Sequence, residues 1–278
     1  MNLIGYNGTR QHFQFVRKLN EQEIENYNKF TPIIAEAHNR FKLFRILRDN
    51  YIEWTTYISS LLTSSPRNDE NDWLQLDRLL LNYLTCAYTI QEHFMGSYRQ
   101  RFRKDEPRLK DYDDFIEKLC QTSWAFAFFL DFRGYIQHRE LGIGYFHRHI
   151  NSTSVEISIT HESAQLVADS REWKRSKLTD KRGKLDLVEL LNEFNHHMLH
   201  SYGGYVAKTF FPDLFPAAQF YDNLTKEVLM IGPGFRMFFT DADPIIRSEE
   251  GKQEMSLQLK LVPNNLFAEL GISVSAKS

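Results

Sequence analysis

The chain has 278 residues, enough to bury a sizeable core in one large domain or two smaller ones. Its 42% hydrophobic and 25% charged content is typical of a globular protein, and its net charge of −2 argues against a uniformly basic nucleic-acid-binding surface. The sequence lacks phosphate-binding glycine loops, Gly-x-Ser-x-Gly and Cys-x-x-Cys motifs, so an NTPase, a dinucleotide enzyme, a serine hydrolase and a zinc ribbon are not expected. With no secretory leader pattern and no apolar run of about 20 residues, we expect a cytoplasmic protein without membrane association, in which Cys86 and Cys120 stay reduced.

Two long helices are predicted in the first third of the chain. Residues 1–19 lack a regular hydrophobic period. From Pro32, which suits a first helical turn, apolar residues recur every three or four positions to Ile58 and predict an amphipathic helix of about eight turns. After a polar loop at 64–72, a second helix is expected from Trp73 to Phe94. A third, central helix is expected from near Leu109 without interruption through residue 130.

The hydrophobic period changes after residue 144. Alternating residues from 145 to 159 predict a β-hairpin that turns at 151–153, and residues 187–211 return to helical spacing. The expected fold class is therefore mainly α: a helical bundle with a small β-hairpin near 145–160 and a mixed C-terminal accessory region. The predicted segments are an N-terminal helical region (1–66), a helical core (67–212) and the accessory region (213–278).

The central helix is predicted to end in a polar segment that carries the candidate chemistry. The apolar run 124–130 leads into Asp-Phe-Arg-Gly-Tyr-Ile-Gln-His over 131–138, so a buried helix delivers Arg133 and His138 to its polar end. An Arg can hold a phosphate and a His can move a proton near neutral pH, which together suffice to break an RNA phosphodiester bond. The alternative is structural, with the Arg bonding the last helical carbonyls and the His satisfied inside the bundle.

The spacing of the two residues constrains how they could meet. Positions five apart on a regular helix lie about 140° apart around its axis. Arg133 and His138 therefore converge only if the helix breaks at Gly134 or just after it, or if two copies of the motif meet across a homodimer.

The Arg-x4-His pattern resembles the signature of the HEPN superfamily. These proteins are all-α bundles, and many are metal-independent ribonucleases in toxin–antitoxin, phage-defence and RNA-processing systems. Residues 132–138, Phe-Arg-Gly-Tyr-Ile-Gln-His, are similar to the Arg-Asn-Tyr-Ile-Gln-His form of uncharacterised bacterial members. The family usually has a polar residue directly after the Arg, where this chain has Gly134. The resemblance covers about residues 73–211 and implies one cleft built from two protomers.

The resemblance also implies roles for individual residues. Arg133 would hold the scissile phosphate, and His138 would act as the general acid or base. The preceding helix would pack against the motif, so Asn82 and His93 could line the site; a solvated helix face is the alternative for both. The residues expected to position the nucleotide are Tyr135, Gln137 and Arg139.

Two basic stretches predict local RNA contacts. Residues 97–110 contain six basic and two acidic side chains, and residues 171–184 contain seven and two. The rings of Tyr98, Phe102 and Trp173 interleave with these cations and could stack on bases. Dipole compensation at a helix end and a charged linker are the respective alternatives. The residues of the predicted patch are Arg99, Arg101, Arg103, Lys104, Lys174, Arg175, Lys177, Lys181 and Arg182.

No metal or other cofactor is expected. His147 and His149 would share one strand face, and His196 and His200 have i,i+4 spacing, but neither pair has a carboxylate or thiolate partner in its pattern. The sequence thus predicts a metal-independent endoribonuclease that acts as a homodimer. It would leave a 2′,3′-cyclic phosphate, and an antitoxin or other regulatory protein is a further expected partner. The alternative is a non-catalytic HEPN-like module that binds RNA, a nucleotide or a protein.

Overall fold

The computed structural model describes residues 1–9, 12–63, 69–138, 143–150, 155–170, 173–181, 183–241 and 260–261. It is mainly helical with small antiparallel sheets, which confirms the predicted fold class. The chain forms two compact units: a discontinuous unit of residues 1–41 and 206–278, and a central unit of residues 42–205. Their limits differ from the three segments predicted from the sequence.

The helices are α1 (Glu21–Thr63), α2 (Asp69–Arg101), α3 (Glu106–Thr122), α4 (Trp124–His138), α5 (Ser163–Asp169), α6 (Leu187–His196), α7 (Gly203–Phe210) and α8 (Leu214–Leu229). A 3₁₀ turn spans Leu178–Asp180, and a π turn, His197–Tyr202, joins α6 to α7. The strands are β1 (Asn2–Asn7), β2 (His12–Lys18), β3 (Tyr145–Ile150), β4 (Val155–Glu162), β5 (Lys184–Asp186), β6 (Phe235–Thr240) and β7 (Lys260–Leu261).

The discontinuous unit contains an antiparallel sheet in the order β2-β1-β6-β7. Strand β1 pairs with β6 from Asn2 opposite Thr240 to Asn7 opposite Phe235. At Gly5 a Cβ would lie 2.9 Å from the Phe235 ring, so the strand packs too closely there for a side chain. The sequence did not predict β1 and β2, since β1 buries three consecutive residues and its partner β6 lies at the other end of the chain.

Helix α1 begins earlier than the sequence predicted. Asn20 Oδ1 accepts from the Glu23 N–H, and Glu23 Oε2 accepts from the Asn20 N–H, each at 2.9 Å. This reciprocal capping box fixes the start at Glu21, so Pro32 lies inside the helix and not in its first turn.

The central unit buries α4 among its other elements. Four α4 rings are at most 2% exposed: Phe126, Phe128, Phe129 and Phe132. Strands β3, β4 and β5 form an antiparallel sheet in that order, which confirms the predicted hairpin, whose turn at 151–153 lies outside the described residues. The long helical run after residue 186 is also confirmed, although a π turn interrupts it.

The predicted central helix is two helices. Ser123 has φ −126° and ψ 112°, an extended conformation that ends α3 and precedes α4. Helix α3 starts at Glu106, where the Asp105 side chain accepts from the Arg108 N–H. The extended residue redirects the chain, so the apolar run 124–130 begins a helix of its own.

Candidate functional site

Helix α4 carries the candidate motif and is continuous to its end. Ser123 caps its first turn by accepting from the Phe126 N–H at 3.1 Å. The helix passes through Gly134 without a break, so the first of the two predicted routes to convergence does not occur. On this unbroken helix the backbone positions of Arg133 and His138 lie about 140° apart. The side chain of His138 lies outside the described part of the structure.

A cavity of about 870 Å³ lies beside Arg133 within the central unit. That volume falls in the range of about 300–1,000 Å³ that is typical of small-molecule sites. Its walls come from α2, α3, α4 and residues 174–177 of the segment Trp173–Lys177, which we call the basic loop. Five basic residues line the cavity: Arg99, Arg133, Lys174, Arg175 and Lys177. Three carboxylates, Glu92, Asp113 and Glu117, also line it, so the balance of formal charge is positive and favours an anionic ligand.

Arg133 lies against an aromatic wall of the cavity. Its guanidinium is positioned over the Tyr88 ring, a cation–π arrangement that orients the side chain. Burial raises the pKa of Tyr88; a hydrogen bond with Glu92 raises it too, and the neighbouring Arg133 lowers it. The cavity therefore combines a positioned guanidinium with rings, the two features that nucleotide binding uses.

The basic loop is packed on one side and charged on the other. Trp173 and Ser176 are buried, whereas Lys174, Arg175 and Lys177 are exposed and line the cavity. Within the described ranges, no carboxylate lies at ion-pair distance from these three cations. The basic loop is thus a structured cationic edge of the cavity, which favours the RNA-contact interpretation of these residues over the charged linker.

The first basic stretch contributes only Arg99 to the cavity. Helix α2 ends at Arg101, and its last turn carries Arg99 and Arg101, as dipole compensation requires. The rings of Tyr98 and Phe102 are buried, as is that of Trp173 in the second stretch, so the prediction that these three rings stack on bases is wrong. Three patch residues, Arg101, Arg103 and Lys104, are exposed and lie outside the cavity lining.

The second basic stretch reaches further around the cavity. Lys181 Nζ lies 5.1 Å from the ring centroid of Trp124, which itself lines the cavity. Arg182, also predicted to contact RNA, lies outside the described residues.

Three other predicted site residues that the structure describes, Tyr135, Asn82 and His93, lie outside the cavity lining. Tyr135 is 3% exposed, its ring stacks on Phe132, and its hydroxyl lies 3.4 Å from Asp169, so it packs in the interior and not at the cavity wall. Asn82 and His93 are exposed on α2, outside the cavity lining. The side chain of Gln137 and all of Arg139 lie beyond what the structure describes.

The histidine pairs are surface features. His147 and His149 are exposed on one face of β3 with ring centroids 6.0 Å apart, which confirms the shared strand face. His196 and His200 have centroids 4.7 Å apart, and burial lowers the pKa of the intervening His197. Across the described residues, no group of three His, Cys, Asp or Glu side chains could hold a metal ion.

Sequence reasoning missed several residues that build the cavity. Tyr88 and Trp124 follow helical apolar spacing, so their pattern is that of core residues. Asp131 gave a signal that was not used, because a carboxylate inside an apolar helical run needs a buried hydrogen-bond partner.

Comparison with protein-family models, with curated proteins and with solved structures finds no match for this chain. In the described ranges, no helix has the length and apolar character needed to cross a membrane.

Proposed function

We propose that the protein is a metal-independent endoribonuclease of HEPN type and that its cavity holds the RNA phosphate. The observation that carries the proposal is the position of Arg133, which shares one cavity with four other cations and a set of aromatic rings. Cations neutralise the phosphate backbone, and rings offer faces on which bases stack.

In this proposal Arg133 binds the scissile phosphate with its planar guanidinium and stabilises the negative charge that develops there. The ribose 2′-oxygen attacks phosphorus and loses its proton to a general base, and the bond from phosphorus to the 5′-oxygen breaks. The leaving 5′-oxygen takes a proton from a general acid. His138 supplies one of these proton transfers. The products are a 2′,3′-cyclic phosphate and a 5′-hydroxyl, and DNA is inert because it lacks the nucleophile.

Because α4 is unbroken, the proposed chemistry requires more than one copy of the protein. Because Arg133 and His138 occupy positions about 140° apart on one helix, we propose that a homodimer supplies the Arg and the His from different protomers. A cytoplasmic location is part of the same proposal. The HEPN resemblance alone adds a toxin–antitoxin or phage-defence setting and a regulatory antitoxin partner.

A second candidate function is a HEPN-like module that binds RNA without cutting it. The same unbroken helix favours this candidate, since one protomer does not bring the two motif positions to one face. Gly134, in place of the usual polar residue, favours it too. The cavity, its cations and its rings have the same role in both candidates.

A cleavage assay separates the two candidates. Purified protein is incubated with mixed-sequence RNA in excess EDTA, and its RNA affinity is measured in parallel. The test variants are Arg133→Ala and His138→Ala. Their matched controls are Arg78→Ala and His149→Ala, which remove exposed residues outside the cavity lining.

The endoribonuclease predicts cleavage by the parent and both controls, and a loss of about 10²–10⁴-fold in His138→Ala, the usual size of a general acid–base contribution. RNA binding without cleavage, weakened by Arg133→Ala alone, would select the binding module. A parent protein that neither binds nor cleaves RNA would refute both candidates.

A further inference from the structure

The basic loop is bonded to a buried carboxylate on the motif helix. Asp131 is 8% exposed, and its Oδ2 accepts three hydrogen bonds from two consecutive loop residues. The Arg175 N–H donates at 2.9 Å, the Ser176 N–H at 2.8 Å and the Ser176 hydroxyl at 2.9 Å. Hydrogen bonds to an ionised acceptor are roughly twice as strong as neutral ones, so this carboxylate is a firm anchor for the loop backbone.

Two tryptophans fix the same loop from its other sides. Trp124 Nε1 donates to the Ser176 carbonyl at 2.8 Å, and Trp173 Nε1 donates to the Leu166 carbonyl at 2.9 Å. The Trp173 ring stacks on Phe128 with centroids 5.8 Å apart. Lys177, which follows Ser176 in the loop, has φ +48°. This is a left-handed conformation that a lysine adopts only where its surroundings impose it.

These contacts bind the backbone and leave the charged side chains facing the cavity. Asp131 itself does not line the cavity, whereas Lys174, Arg175 and Lys177 do. Flexible basic side chains on a fixed backbone lose less conformational entropy when they bind an anion than the same side chains on a mobile loop. A fixed loop also prevents the cations from moving apart under their mutual repulsion.

We infer that Asp131 is a positioning residue that holds the basic loop in the shape that binds RNA phosphates. The inference rests on the proposed function only as far as RNA binding in this cavity, which both candidate functions share. The helix α4 then contributes to RNA binding in two ways: Asp131 holds the basic loop in place, and Arg133 binds the phosphate directly.

The salt dependence of RNA binding tests this role. For single strands, each neutralised phosphate contributes about 0.7 to the slope of log affinity against log salt concentration. Release of the three loop cations in Asp131→Ala should therefore flatten the slope by about 2. Between 50 and 200 mM salt the parent would then lose about 20-fold more affinity than the variant.

A destabilised but correctly shaped site would give a different result. Loss of folded protein scales the affinity by the same factor at every salt concentration and leaves the slope unchanged. Phe126→Leu is the matched control, because Phe126 is fully buried on the same helix and its ring packs against Phe194 on α6. Two milder variants, Asp131→Asn and Ser176→Ala, should flatten the slope in the same direction if Asp131→Ala does not fold.

Amide hydrogen exchange reports the loop directly. In the parent the amides of Arg175 and Ser176 should be protected, and in the Asp131 variants they should exchange faster. The Lys181 amide, which donates to the Leu178 carbonyl at 2.9 Å, is the internal reference and should not change.

A charge-deleted background makes the test specific. In Lys174→Ala/Arg175→Ala/Lys177→Ala the contribution of the loop cations to the slope is already lost, so adding Asp131→Asn should change the slope no further. An unchanged slope in all Asp131 and Ser176 variants, with RNA still bound, would overturn the positioning role and leave the proposed function intact. A parent that binds no RNA would overturn the proposed function, and the inference with it.

Discussion

The change in stability caused by Ser123→Ala tests the junction between α3 and α4, because its sign depends on whether the two helices are separate. The backbone N–H of Ser123 donates to the Leu119 carbonyl at the end of α3, and its hydroxyl accepts from the Phe126 N–H at the start of α4. The same hydroxyl donates to Glu193 on α6. Ser123→Ala should therefore destabilise the protein. If α3 and α4 formed one uninterrupted helix, alanine would be the better helix former and would stabilise it by a few tenths of a kcal/mol.

The expected magnitude follows from the two lost hydrogen bonds. Loss of a serine N-cap costs about 1 kcal/mol. A hydrogen bond to a charged group contributes about 1.5–3 kcal/mol, and the lower end applies because Glu193 is largely exposed. Ser123→Ala should thus lower the free energy of unfolding by about 2–3 kcal/mol. For a unit of this size the midpoint of thermal unfolding should fall by about 5–10 °C.

Urea denaturation followed by far-UV circular dichroism measures this change. The control is Ser59→Ala, an exposed serine on α1 whose hydroxyl donates to the Thr55 carbonyl, and its effect should stay within about 0.5 kcal/mol. In a double-mutant cycle, Glu193→Ala should cost less in the Ser123→Ala background than alone. A Ser123→Ala protein as stable as the parent would refute the junction between α3 and α4.

Three further predictions concern stability and pH. Phe128→Ala, which removes a fully buried ring, should cost about 3–5 kcal/mol in urea denaturation, whereas Leu74→Ala at an exposed α2 position should stay within about 0.5 kcal/mol. Hydrogen bonding to Arg17 lowers the pKa of Glu23 in the folded protein. The ionised Glu23 therefore stabilises the fold fully above about pH 4.3, and this stabilisation is lost as the pH falls through the lower pKa of the folded state. Between pH 7 and 3 the urea midpoint of Glu23→Gln should fall less steeply than that of the parent. Burial raises the pKa of Tyr57 to about 12, so the parent should lose stability as the pH rises from about 10 towards 12, and Tyr57→Phe should flatten that loss in alkaline urea titrations.

The sequence predicted those helices and strands whose residues repeat with the period of the element. The helical spacing of α2 and α6 was visible because each presents a regular apolar stripe, and β3 and β4 were visible because residue types alternate along both strands in the sequence. Strand β1 had no such stripe, since its position between β2 and β6 depends on a pairing of Asn2 with Thr240 that no local window contains. The spacing of Asn20 and Glu23 is that of a capping box and indicates the start of α1. Pro32 suggested a later start, because proline is common in the first turn of a helix.

The junction at Ser123 was hidden for a different reason. Residues on both sides have helical spacing, and a single serine interrupts many sequences without ending a helix. Here its hydroxyl has two partners, the Phe126 N–H three positions further along the chain and the Glu193 side chain on α6. Only the second partner distinguishes this serine from an ordinary helical one, and it lies 70 residues away in the sequence.

Which cations line the cavity depends on where the helix that carries them ends, and the density of charge in the sequence does not show this. Arg99 and Arg103 have the i,i+4 spacing of one helical face, but α2 ends at Arg101, so Arg103 leaves that face and Arg99 alone reaches the cavity. In the basic loop the opposite holds. Neighbouring Lys174 and Arg175 both line the cavity because Asp131 and two tryptophans determine the backbone beneath them. A run of basic residues therefore locates a patch, and the buried polar group that binds its backbone decides which of its side chains act together.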